Sequence, residues 1–238
     1  MISYKVLYPG GNTTAILTES YSIDERVLAA QKIMNLNKEV EQVGFLSTSK
    51  ESDYDIELGM MGGEFCANAA RCAAFVWNQM TSAEKVLVKV SGLDSILRST
   101  VRNDEVTLYF PRNVITEKVV VEEGTLIDFL GIRFLIADEH NLTEHFSLLI
   151  EKYGQQIPAF GLVIVTEDSS DTFTIAPLIW VQQTETIIKE SGCGSGSLAA
   201  CLVYRDKYNT CDRFSVMQPS GNHYIISFND EDDNEAFS

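Results

Sequence analysis

Glu190-Ser191-Gly192-Cys193-Gly194-Ser195-Gly196-Ser197 echoes an earlier stretch, Gly62-Gly63-Glu64-Phe65-Cys66-Ala67-Asn68-Ala69-Ala70. In both, a glycine turn leads into a cysteine and then into small residues that open a helix. The alanine-rich run from Ala67 to Gln79 favours helix and is apolar enough to be buried. The second helix is expected from about Ser197 to Tyr208. Aligned on the cysteines, Ala73-Ala74 falls against Ala200-Cys201. A cysteine at such a turn meets the unpaired amides of the helix start. Those amides favour a thiolate and are expected to lower its pKa. They can also hold a carboxylate, and the small side chains let a ligand approach the backbone.

The flanking sequence repeats as well. Strand patterns at Tyr4 to Tyr8 and Thr14 to Leu17 surround the turn Pro9-Gly10-Gly11-Asn12. Ser22 and Glu25 form a capping box ahead of a helical stripe that reaches Asn35. Strands are expected at Gln42 to Thr48 and Tyr54 to Leu58, and after the first helix at Lys85 to Val90, Ser95 to Thr100 and Glu105 to Phe110. The order then returns. Glu117 to Val121 and Ile132 to Ala137 read as strands, and Thr143 is placed to cap a helix that Gly154 ends. Leu162 to Thr166, Thr172 to Ile175, Phe214 to Met217 and Tyr224 to Phe228 complete the pattern. A repeat of about 115 residues is too long for a solenoid unit and implies duplicated domains. These are expected at 1–112 and 113–238, with one cysteine turn each. The acidic tail Asn229 to Glu235 reads as a solvated loop or frayed end.

Composition narrows the partners. The chain of 238 residues carries 34 acidic and 18 basic side chains, a formal charge of −16. That surplus argues against nucleic acid and against anionic membrane surfaces. No stretch is long and apolar enough to span a membrane. The N-terminus lacks the basic start and apolar run of a secretory signal. A cytoplasmic, reduced protein with a small-molecule partner is therefore expected, and its five cysteines are core residues, metal ligands or catalysts.

A buried cysteine is ordinarily a small hydrophobe. That reading suits Cys72 and Cys201, while Cys211 reads as more open. For Cys66 and Cys193 the matched contexts reverse it. Zinc is not expected, because the spacing of Cys66 and Cys72 is wrong and no histidine lies near. His140, His145 and His223 carry no motif. Nor does the lone Gly194-Ser195-Gly196 amount to a nucleotide signature, so no cofactor is expected. Two such cysteine turns facing one cleft can invert a carbon. One thiolate takes a proton from one face and the opposite thiol returns one to the other. The helix-start amides stabilise the enediolate character of the carboxylate in between.

Gly63-Glu64-Phe65-Cys66-Ala67-Asn68-Ala69-Ala70-Arg71-Cys72 resembles the first-cysteine motif of diaminopimelate epimerases. Ser191-Gly192-Cys193-Gly194-Ser195-Gly196 resembles their second, and Asn12 matches their N-terminal substrate asparagine. The resemblance spans nearly the whole chain. It implies an α+β fold of two pseudo-symmetric domains, each a rolled mixed or antiparallel sheet around a central helix. It also implies cofactor-independent racemisation with Cys66 and Cys193 as acid and base. Asn12, Ala67, Asn68, Gly194 and Ser195 then hold the substrate's carboxylate and amine, and a homodimer is compatible with it.

Where those enzymes place an asparagine and a Glu-Arg pair on the distal end of their substrate, ungapped counting finds Glu57, Thr184 and Glu185 here. The missing arginine removes a bidentate carboxylate grip. Ala67 and Ala69 also replace glycines of the family. Glu41-Gln42-Val43-Gly44-Phe45, Lys89-Val90-Ser91-Gly92, Pro177-Leu178-Ile179 and Gln218-Pro219 are more similar to the histidine racemase branch of staphylopine-type metallophore biosynthesis. By that resemblance the substrate is an amino acid other than diaminopimelate, with histidine favoured and Glu41 the side-chain contact. A diaminopimelate epimerase, a carboxylate-using isomerase on the same fold and a non-catalytic amino-acid binder are the alternatives. Family members usually carry a further strand pair beyond the position of Ser238, which leaves the completeness of the first half's sheet open. A Cys66–Cys193 disulfide is expected under oxidation.

Overall fold

Strands β1 (Lys5–Leu7), β2 (Thr14–Leu17), β3 (Gln42–Ser47), β4 (Ile56–Met60), β5 (Lys85–Val90), β6 (Ile96–Arg102) and β7 (Glu105–Pro111) line up in chain order across one half of the molecule. This computed structural model describes residues 2–48, 53–208, 212–228 and 234–237. Helix α1 (Ile23–Leu36) makes the parallel crossover from β2 to β3, and α2 (Ala67–Thr81) the one from β4 to β5. The other neighbours pair antiparallel.

The second half repeats this plan. It contains β8 (Ile115–Val121), β9 (Gly124–Phe129), β10 (Ile132–Ala137), α3 (Phe146–Tyr153), β11 (Ala159–Glu167), β12 (Thr172–Val181), β13 (Thr186–Lys189), α4 (Gly194–Tyr208), β14 (Arg213–Met217), β15 (His223–Ser227) and β16 (Asn234–Phe237). Helix α3 crosses between parallel β10 and β11, and α4 between parallel β12 and β14. The halves meet where the equivalent last strands, β7 and β16, pair antiparallel. The fold is thus α+β with pseudo-symmetric halves, as the family resemblance implies.

Each half wraps its sheet around one helix. In α2, Ala67 to Ala70, Cys72 to Ala74 and Val76 are buried, and the helix packs on every strand from β2 to β7. Alanine does this work because it combines high helix propensity with a radius small enough for a curled sheet to close around it. Helix α4 is buried from Gly194 to Cys201 and touches α2. By contrast α1 lies outside, with Leu28 and Leu36 exposed. Its start is fixed as expected, since the Glu25 carboxylate accepts from the Ser22 amide at 2.8 Å. Strand β11 is buried from Ala159 to Val165, because α3 covers one face and α4 the other.

Four details depart from the sequence reading. Helix α3 begins at Phe146 after a 3-10 turn over His140–His145, and Thr143 spends its hydroxyl on the His140 carbonyl instead of a cap. Strands β9 and β13 are additional. Strand β12 runs on through Pro177, which sits between its stretch paired with β14 (Thr172–Thr174) and its stretch paired with β13 (Leu178–Val181). One edge is therefore unladdered there, so the missing N–H costs nothing. Finally, Asn234 and Glu235 belong to β16 and not to a loop. That strand also completes the edge of β7. The rest of the expected acidic loop, 229–233, and Cys211 lie outside the described residues. Among the described residues no helix is long and apolar enough to cross a membrane.

Candidate active site

Cys66 is the N-cap of α2, and its Sγ accepts from the Ala69 amide at 3.5 Å. Cys193 immediately precedes α4, and its Sγ accepts from the Gly196 amide at 3.3 Å. In both turns the next amide, Ala70 or Ser197, returns to the cysteine carbonyl. The two caps are thus geometrically equivalent. The amides of Ala67 and Asn68, and of Gly194 and Ser195, precede the first intrahelical bonds and have no acceptor within their own helices.

Both cysteines line one narrow, partly open cavity of about 20 Å³ between the halves. Phe65, Ile132, Ile179, Val181 and Ile188 supply apolar walls. Glu41, Glu64 and Glu190 supply three carboxyl groups, and among the described residues no lysine or arginine lines the cavity.

The Cys66 thiol is oriented by a donated hydrogen bond. Cys66 donates to Gln42 Oε1 at 2.8 Å. Gln42 donates to Thr14 Oγ1 at 2.6 Å, and Thr14 donates to the Asn12 carbonyl at 2.8 Å. Cys193 Sγ lies 4.0 Å from Ser195 Oγ, while its own amide donates to Gln218 Oε1 at 2.8 Å. Gln218 in turn donates to Ser197 Oγ, which donates to the Cys193 carbonyl.

Electrostatics corrects one expectation. The helix-start amides do lower both thiol pKa values, but burial dominates and raises both above the ordinary thiol range, and the neighbouring Glu190 adds to the rise. Burial also pushes Glu190 up to about 8 and Glu64 up to about 7.

Asn12, Ala67, Asn68 and Gly194 are buried next to residues that line the cavity without lining it themselves. Asn12 donates its side-chain amide to Glu190 Oε1 at 2.8 Å and its backbone amide to Ser191 Oγ at 2.7 Å. Asn68 donates to the Gly192 carbonyl at 3.0 Å. This leaves three buried acceptors without partners: Asn12 Oδ1, Asn68 Oδ1 and Glu190 Oε2. Glu41 reaches the cavity wall, but both its oxygens are held by Ser191, one by the backbone amide at 2.8 Å and one by the hydroxyl. Ser195 also lines the cavity. Glu57 is half exposed and pairs with Lys89, Glu185 is exposed, and Thr184 bonds to Thr186, so these three stay outside it.

The family described as histidine racemase CntK N-terminal domain matches residues 1–236. The chain belongs to this family. Curated relatives carry the same name. A histidine racemase of Fusobacterium nucleatum is 29% identical, with 97% of this chain and 91% of the relative covered. One from Staphylococcus aureus is 22% identical, with 95% and 89% covered. Among solved structures the fold is similar to a hydroxyproline epimerase from Agrobacterium vitis with bound trans-4-OH-L-proline. The TM-score is 0.59 at 12% identity, with 98% of this chain and 86% of that one covered. It is also similar to a predicted epimerase from Pseudomonas aeruginosa, with a TM-score of 0.66 at 9% identity and coverage of 100% and 95%.

Sequence reasoning missed several residues of the site. Glu190 and Glu64 stand inside the quoted cysteine motifs, and Gln42 and Gln218 inside the branch-like segments, so a signal existed. Tyr224 had none.

Proposed function

We propose that this chain inverts the α-carbon of a free amino acid, with histidine the favoured substrate, by a two-thiol mechanism without a cofactor. The observation that carries the reading is the pair of equivalent cysteine caps on one cavity lined by three carboxyl groups and, among the described residues, no lysine or arginine. The α-carboxylate fits the helix-start amides of Ala67, Asn68, Gly194 and Ser195. The α-ammonium fits the unpartnered oxygens of Asn12, Asn68 and Glu190, because unpaired buried acceptors call for a ligand rich in N–H donors.

The ammonium brings positive charge among three acids and so favours one thiolate. That thiolate takes the α-hydrogen as a proton from one face. The electron pair passes to the carboxylate, where the amides stabilise it, and water exclusion keeps their effect unscreened. The opposite thiol then delivers its proton to the other face. The substrate is inverted and the protonation states of the two cysteines are exchanged. Glu64 and Glu41 border the remaining space, which suits an imidazole or cationic side chain and repels a distal carboxylate. This disfavours diaminopimelate. The division at 112–113 would give each half one thiol, and a reduced cytoplasmic setting would keep both free.

A chiral screen of the common amino acids without pyridoxal phosphate tests the reading. Histidine is expected to racemise. Efficient turnover of LL-diaminopimelate with none of histidine would sink the substrate assignment.

A further inference from the structure

Asn68 lies beneath a staple contributed by the other half. Its Nδ2 donates to two acceptors, the Gly192 carbonyl at 3.0 Å and Tyr224 Oη at 3.1 Å. The phenol in turn donates its single hydrogen to the Pro9 carbonyl at 3.1 Å. Arg71 donates to that carbonyl at 3.1 Å, and its guanidinium carbon lies 5.3 Å from the Tyr224 ring centroid. Tyr224 is only 2% exposed.

These bonds decide the orientation of the carboxamide. A backbone carbonyl can only accept, so the atom facing Gly192 must be the nitrogen. Tyr224 has already spent its hydrogen on Pro9, so it too can only accept from Asn68. Both amide hydrogens of Asn68 are thereby used inside the protein. Its Oδ1 is left buried and unpartnered. Flipping the amide would set Oδ1 against Gly192 O and strand two buried groups.

We propose that Tyr224 is a positioning residue for amino-group recognition. By holding both hydrogens of Asn68 with Gly192, it presents Asn68 Oδ1 to the substrate ammonium as a fixed acceptor. The proposal rests on the reading that the cavity binds an amino acid. It adds that affinity for the amine depends on a tyrosine that makes no substrate contact itself.

The test compares binding of L-histidine and its des-amino counterpart, imidazolepropionate, by calorimetry. Wild type, Tyr224→Phe, Asn68→Ala and the double variant are used. Tyr224→Phe keeps the ring and its contact with Arg71. The expected result is a preference for L-histidine in wild type that shrinks about tenfold in Tyr224→Phe, the size of one hydrogen bond. Imidazolepropionate affinity should hold steady. In the Asn68→Ala background the tyrosine change should then have no further effect. A purely structural role would instead weaken both ligands alike. An unchanged ratio in Tyr224→Phe, or an undiminished effect of that change in the Asn68→Ala background, overturns the proposal. Wild type that binds no L-histidine overturns the histidine reading and this proposal with it.

Discussion

Glu190 stands three positions before Cys193, and its buried carboxyl raises the pKa of both thiols. By sequence the resemblance points to Glu41 as the recognising acid. In the structure Glu41 is occupied by Ser191, while Glu190 keeps a buried oxygen without a partner. Composition and spacing cannot separate a carboxylate that braces a loop from one that faces a ligand. That depends on contacts more than a hundred residues apart in sequence. The same side chain gives a pH prediction. Burial raises Glu190 to about 8, so it is largely neutral at pH 6.5 and ionised above 8. If the ionised form holds the ammonium, kcat/KM should climb through a step near pH 8. Glu190→Gln should abolish that step and lower kcat/KM at high pH by at least tenfold. A full pH profile of both proteins is the check. A step that persists in the glutamine variant would assign it elsewhere.

At the scale of elements, the two cysteine turns and their buried helices were legible because composition and position coincide. Small residues make a helix that a sheet can surround, and the turn ahead of it fixes the cap. The strands β9 and β13 were not legible. The Gly124-Thr125 start of β9 and the Thr186 start of β13 lack the alternation that marks a strand, and both pair with partners whose placement depends on the whole sheet. The expected lowering of the thiol pKa failed for a related reason. Sequence shows the cap amides but not the depth of burial that outweighs them.

One turn is fixed by close approach. Gly11 has φ +128°, and a Cβ there would lie 2.5 Å from the Ser191 carbonyl. Ala in its place forces the Asn12 turn away from the second cysteine turn. Gly11→Ala should cost about 2 kcal/mol or more of stability, together with most of the activity. Urea denaturation and initial rates measure the two losses. A variant with unchanged midpoint and rate would show that the apposition of the turns is not required.

Across the whole molecule the repeat is the organising fact. It was readable from the two motifs, whereas the pairing of β7 with β16 was not, because an acidic tail carries no strand pattern. The halves also meet through aromatic rings. Phe65 lies 5.7 Å from Phe129 of the second half by ring centroids, and 6.0 Å from Phe110 of its own half. Gly92 and Gly131 let the backbone of the two halves approach beside them, since a Cβ on Gly131 would come within 2.4 Å of Gly92 Cα.

Burying acids at this junction has a cost that depends on pH. Glu64 and Glu190 both have folded pKa values above the ordinary carboxyl range. The folded state therefore holds their protons more tightly than the unfolded chain. Their contribution is largest below about pH 4.5 and is lost as pH rises through about 7 to 8. Stability should accordingly decline between pH 5.5 and 8.5. Glu64→Gln should flatten this decline and gain on the order of 2 kcal/mol at pH 8.5. Urea midpoints across that range test it, and equal slopes for the two proteins would contradict the assignment.

Inversion by two thiols on opposite faces of one carbon leaves an isotopic signature in the product. L-histidine is incubated with the enzyme in deuterated water, and the α-position of the D-product is read by mass spectrometry during the first few per cent of conversion. With two thiols, the proton removed and the deuteron delivered belong to different groups. D-histidine is expected to carry α-deuterium from the first turnovers, while the remaining L-histidine still carries protium. Early D-product that retains the substrate's own α-hydrogen would mean one group serves both faces, and would contradict the two-thiol mechanism.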